Sequence, residues 1–278
     1  MSSNVPQTSS PSSPQQSPPS SPAAGWPGGW VVAVVAVAVL VVLLVVHYTG
    51  ERRGDDRSGT DRVDHTPTLA AEGQAEARLV VTGGMDRLTV TADDLGGDLV
   101  RARTPEGQRA VPVLRAPESG VVRLSTEGAD ETGGGGVDLA VRLSSDVRWD
   151  IEIAGGSSVL ALDLGQARVH SLDVTQGVAS VDVRLPRPDG TLRARIGGGA
   201  NAVRFLVPAD VPAQVRFSAG AGQADLDGEH HGGLGAGTVL EAPASGDSTD
   251  STDSTDSTDR IEVALDSGIG SLDLQHEN

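Results

Sequence analysis

From Ala77 to the end of the chain, apolar and polar positions alternate in short runs that stop at Gly, Pro, Asp or Ser. Arg87-Leu88-Thr89-Val90-Thr91 and Val137-Asp138-Leu139-Ala140-Val141-Arg142-Leu143 are examples. A period of two marks strands with one buried face. No long segment after residue 77 carries the 3.6-residue period of a helix.

Upstream the pattern is different. Trp30 to Val46 is a run of 17 apolar residues, which at about 1.5 Å per residue spans roughly 25 Å as a helix. Trp26 and Trp30 stand at one end and His47 and Tyr48 at the other, as in the aromatic belts at membrane surfaces. The pattern predicts one transmembrane helix over 30–48, which makes the membrane a partner. No basic segment precedes it, so it does not read as a cleaved signal peptide. Residues 1–29 hold seven prolines among Ser, Gln, Ala and Gly and read as a disordered tail. Residues 49–76 are polar and read as a linker. Arg52, Arg53, Arg57 and Arg62 follow the apolar run and no basic residue precedes it; by the positive-inside rule the large domain faces the cytoplasm.

Within 77–278 the strand pattern repeats. Glycines 156, 177, 198 and 220 each close a strand and are spaced 21, 21 and 22 residues apart. Each is followed by a second strand: Val159 to Leu164, Ala179 to Leu185, Asn201 to Val207 and Gln223 to Asp227. A last copy, Ile261 to Leu274, arrives 48 residues after Gly220, and an acidic insertion over 242–259 fills the gap. Four Ser-Thr-Asp triplets occupy 248–259, a composition that predicts a disordered loop. Weaker traces of the period occur at Gly84, Gly107 and Gly128. The expected fold is all-β, a β-solenoid-like stack of repeats of about 21 residues, because one such unit cannot bury an apolar face alone.

Composition agrees with a thin interior. Only Trp149, Phe205 and Phe217 are aromatic after residue 48, so Val, Leu, Ile and Ala must fill the core. All 21 basic residues are arginine and there is no cysteine. Phosphate-loop and Schiff-base lysines, disulfides and thiolate metal sites are thereby excluded. The net charge of −17 falls entirely on 51–278, which disfavours nucleic acid as a partner.

Candidate chemistry is sparse. Asp163, Asp173, Asp182 and Asp273 recur in strands; stacked, they would repel unless a cation such as calcium bridged them, whereas simple alternation puts them on a solvent face. With Gly228 as the loop glycine of Asp225-Leu226-Asp227-Gly228, the EF-hand position of the bidentate Glu falls on Leu234. Glu229-His230-His231 is a local cluster of metal-ligand types, and beside Gly232-Gly233 it reads as an exposed turn. Gly133 to Gly136 is followed by no helix or basic residue for phosphate and reads as a flexible connection. There is no Gly-x-Ser-x-Gly elbow; His47, His65 and His276 lie outside the strand pattern and His170 reads as a strand histidine with solvent access. No catalytic, cofactor-binding or metal residue is assigned, and no cofactor is expected.

The phrases Gly177-Val178-Ala179-Ser180-Val181-Asp182-Val183 and Ser267-Gly268-Ile269-Gly270-Ser271-Leu272-Asp273-Leu274 resemble the bacterial putative-adhesin β-strand-repeat domains. These are similar to the toastrack domains of LiaF-like and PspC-associated envelope-stress proteins, and the resemblance covers about 78–276. It implies a membrane-tethered, non-enzymatic β domain with a scaffolding, interaction or sensing role at the bacterial envelope. It also implies an extracytoplasmic domain, against the arginine count. An envelope protein or a second copy of the chain is the partner expected. The alternatives are a surface adhesin and, further off, a β-helix carbohydrate-active enzyme using clustered carboxylates.

Overall fold

The computed structural model describes residues 65–118, 120–128, 136–244 and 259–277. The tail, the expected membrane helix and most of the Ser-Thr-Asp segment lie outside the described residues. Nineteen strands occur among the described residues, in a ten-stranded sheet A and a nine-stranded sheet B.

Alternation makes most of the strands, and glycine corners pass the chain from one sheet to the other within the regular repeats. β1 (Thr68–Ala70), β2 (Glu76–Val81) and β3 (Met85–Asp93) come first, so strands begin inside the segment read as linker. β4 (Asp98–Arg103), β5 (Val111–Glu118), β6 (Val121–Glu127) and β7 (Asp138–Ser144) follow. The regular repeats are β8 (Arg148–Ile153) with β9 (Ser157–Asp163), β10 (Arg168–Val174) with β11 (Val178–Arg184), and β12 (Thr191–Ile196) with β13 (Ala200–Val207). Then come β14 (Ala213–Phe217), β15 (Ala221–Leu226), β16 (Glu229–Leu234) and β17 (Thr238–Ala242), and finally β18 (Arg260–Leu265) and β19 (Ile269–His276).

Each repeat places its first strand in sheet B and its second in sheet A, parallel to those of the next repeat. The product is a stack of two-strand rungs with the apolar rows facing inward. One row in sheet B runs Leu124, Val81, Ile153, Val174, Ile196, Leu265 and Phe217, all fully buried. Trp149, Phe205 and Phe217 are buried too, and the Trp149 indole N–H donates to the Ser144 carbonyl at 2.9 Å. Aliphatic rows suffice because the interior is only the width between two sheets.

Spatial order and chain order part company at both ends. The rungs stack as β6–β7, β2–β3, β8–β9, β10–β11, β12–β13, β18–β19 and β14–β15. The last copy therefore does not extend the stack; it fills a place between the third regular rung and β14–β15. Antiparallel strands finish each end: β4 and β5 lie on β7 and β6, and β16 and β17 lie on β15 and β14. Such strands cover the edges of the parallel rungs, which would otherwise template further pairing. Pro112 in outermost β5 has no backbone N–H to offer a further strand.

Candidate interaction surface

The outward positions form charged rows. On sheet A, Ala161, Asp182, Arg204, Asp273 and Asp225 stand in register, and His230 of β16 continues the row. Asp163 lies one step along on β9, opposite Arg184. Asp173 belongs to β10 in the other sheet, so the four aspartates do not make one ladder. Arg204 stands between Asp182 and Asp273, whereas Asp273 and Asp225 are direct neighbours. The Arg204 Nε lies 3.8 Å from Asp273 Oδ2, and its guanidinium donates to Gln275 Oε1 at 3.2 Å. Arg184 lies 3.8 Å from Asp163 and donates through Nε to Glu277 at 2.6 Å, a bond that raises its own pKa.

The neutralisation is incomplete. Burial raises the Asp182 pKa above the ordinary carboxylate value, and Asp273 and Asp163 push the same way while Arg204 opposes. Burial likewise raises Asp273, helped by Asp225 and Asp227 and opposed by Arg204 and the Gln275 hydrogen bond. Among the described residues no group of three or more metal-ligand side chains converges on one point.

Sheet B repeats the scheme. Arg78 meets Glu152 at 2.5 Å, Arg193 lies 3.6 Å from Glu262, and Ser171 donates to Asp150 at 2.5 Å. Arg195 lies 3.6 Å from Asp173 and donates to Asp266 at 2.6 Å. That hydrogen bond, with a second from Ser218, holds the Asp266 carboxyl below its usual range. The Asp173 Oδ1 is buried without a hydrogen-bond partner. Both faces thus present rows in which arginines meet carboxylates of other rungs, with Asp273 and Asp225 side by side on sheet A.

The remaining candidates are placed as follows. His230 and His231 lie in the outermost strand β16, not in a turn, and point to opposite faces. His230 Nδ1 is 3.0 Å from Asp225, and His231 Nε2 is 3.5 Å from Glu229. His170 Nδ1 lies 3.2 Å from an Arg148 nitrogen. Gly133 to Gly135 lie outside the described residues.

One residue was missed. His276 is buried, with Nδ1 2.7 Å from the Asp227 carboxylate and Nε2 2.9 Å from the Val211 carbonyl. The Asp227 carboxylate also accepts the His276 backbone N–H at 2.8 Å. The signal was present: Leu272, Leu274 and His276 alternate, and His276 pairs with buried Val207. Its place in the apolar row was therefore readable, though its partners were not.

A profile for the N-terminal domain of toast_rack, DUF2154, matches residues 58–206. The chain belongs to the toast_rack family. The match ends inside β13, before β14–β19. No curated protein matches the chain. A solved structure from Clostridium sporogenes, named a putative cell adhesion protein, is similar at 15% identity and TM-score 0.56, covering 76% of this chain and 98% of that one. Identity this low speaks for the fold alone. A Bacteroides fragilis structure named a putative adhesin is 14% identical and covers 76% of this chain and 97% of its own, with a TM-score of 0.27, too low to argue from.

Proposed function

We propose that this toast_rack chain is a membrane-anchored, non-enzymatic interaction or scaffolding module of the bacterial cell envelope, with a role in assembly or stress sensing. The observation that carries the reading is the pair of extended outward faces, on which arginines pair with carboxylates of other rungs. An extended surface of that kind suits a broad protein or polymer contact. Catalysis by two carboxylates needs a different arrangement, a proton donor and a base set apart around one bond. The apolar run 30–46 supports the anchor.

Cell fractionation tests the anchor. The full-length chain should sediment with membranes, and a chain lacking 30–48 should not; full-length protein in the soluble fraction overturns the reading. Protease added to intact cells should digest the β domain as fully as in lysates if the domain lies outside the cytoplasm. Protection in intact cells would support the orientation given by the arginine count.

A second reading, a surface adhesin, is favoured by the name of the Clostridium sporogenes relative. It expects cells displaying the chain to bind a surface that cells lacking it do not bind. Equal binding by both would remove it.

A further inference from the structure

The rung β18–β19 is the last of the chain and sits in the last slot but one. Its walls are β12–β13 on one side and β14–β15 on the other, parallel and in register with it on both sides. The tie to the rest of the chain is much longer than the seat requires. Ala242 and Ile261 both pair with Ala213 from opposite sides of β14, so the joined ends lie two strand spacings apart, ~10 Å. About four extended residues cover that distance. Residues 243–259 supply 17, with a contour above ~50 Å.

The slot also recognises what fills it. A Cβ on Gly270 would strike the Asn201 carbonyl oxygen of the β13 wall, and a Cβ on Gly222 of β15 would lie 2.6 Å from the Gly270 oxygen. The incoming strand must therefore carry glycine at that point. Ser267 donates to the Gly197 carbonyl at 2.6 Å, Asp266 joins Arg195 of one wall to Ser218 next to the other, and His276 reaches Asp227 and Val211. The sequence known to meet all of these demands is the C-terminal sequence of this chain.

We propose that β18–β19 is exchangeable, seating in the slot of a second copy of this chain as it does in its own. A reciprocal exchange keeps every strand pair and every side-chain contact of the seat. It differs from the closed monomer only in the path of 243–259 and in the cost of association, so its extent depends on concentration. The proposal stands whether or not the chain is anchored in a membrane.

The chain has no cysteine, so introduced thiols report cleanly. Arg216 of β14 and Ala264 of β18 are paired on the outward face of sheet B, at a strand spacing that a disulfide spans. In the full-length chain, the double variant Arg216→Cys, Ala264→Cys should oxidise within one molecule. When the two single variants, differently tagged, are co-expressed, a reducible heterodimer near twice 28.3 kDa should form. Its yield should exceed severalfold that from Arg216→Cys with Arg123→Cys, which samples collision between exposed positions. Heterodimer no more abundant than in that control overturns the proposal. Light scattering gives a readout without thiols. The unsubstituted full chain, refolded at rising concentration in detergent, should show a growing dimer fraction, and a monomer at every concentration overturns the proposal as well.

Discussion

The two ends of the stack use the same device with opposite chain order. At each end a two-strand rung lies one place inside the outermost rung. At the N-terminal end the inner rung, β2–β3, is made first, and β4 to β7 then fold over it through links no longer than 94–97 and 104–110 where described. At the C-terminal end the outer rung, β14–β15, and its covering strands β16 and β17 precede the inner rung, β18–β19. The outer wall there is joined to the inner wall by 208–212, a proline-bounded link that steps past the slot. The first inner rung is enclosed by chain that follows it; the last is a plug on a tether. Geometry alike in strand pairing thus differs in how readily the inner rung can leave.

Removing the plug should have the largest effect. Deletion of 260–278 takes six buried apolar side chains, Ile261, Val263, Leu265, Ile269, Leu272 and Leu274, out of the stack. At about 1.5–3 kcal/mol each their loss matches a whole domain's stability of about 5–15 kcal/mol. Limited proteolysis should then cut β14–β17 rapidly, and a synthetic peptide of 260–278 should restore protection. A truncated chain as resistant as the intact one would abolish the distinction between plug and rung.

Gly270 and Asp86 occupy the same row in the two inner rungs. Gly270→Val should cost about 3 kcal/mol through its clash with the β13 wall, whereas exposed Asp86→Ala should stay within about 0.5 kcal/mol. Denaturant melts of the pair measure the difference, and equal costs would mean that the two slots are equally tight.

His276→Leu should cost about 2 kcal/mol, because it leaves the Val211 carbonyl and one side of Asp227 unpaired, even though Leu164 and Leu185 suit the same buried row in other rungs. Shortening the tether works the other way. Deleting 248–258 reduces 17 linking residues to six and keeps Asp259, which accepts the Gly190 N–H; by loop-closure entropy this should add about 1 kcal/mol. A fall in melting temperature would show that the triplets take part in the fold.

The smallest effect concerns charge. Asp273 in the plug shares a row with Thr89 in the first inner rung, so only the plug carries an acid there. Burial raises the folded-state pKa of Asp273 above 3.8, so the folded chain holds its proton more tightly than the unfolded chain. The stability from that proton is fully present below the unfolded value and is lost as pH rises through the folded one. Asp273→Asn should therefore raise stability at pH 7, and the gain should vanish as the pH falls towards about 4. A pH-independent gain would trace to something other than ionisation.

Much of this was legible in the alternation. The strand–glycine–strand unit, its period and the outward placement of Asp163, Asp182 and Asp273 follow from which positions are apolar. The acidic segment read over 242–259 runs between the end of β17 at Ala242 and the start of β18 at Arg260. The covering strands were harder. Glu229-His230-His231-Gly232-Gly233-Leu234 has no apolar alternation because as an outermost strand it buries almost nothing, and pattern reading depends on burial. β1 escaped for a similar reason, being three residues long. The arginine pairing between rows could not be read because each partner comes from a different rung.

By itself the sequence determined what each rung is: two strands, a tight corner, one aliphatic face and one charged face. These are local consequences of side-chain period and turn chemistry. Only the tertiary structure decided the order in which rungs stack. Val, Leu and Ile rows are interchangeable, so hydrophobic pattern cannot tell one neighbour from another. The choice rests on long-range particulars, namely a glycine where two backbones meet, a histidine between Asp227 and Val211, and a tether long enough to let the last strands turn back.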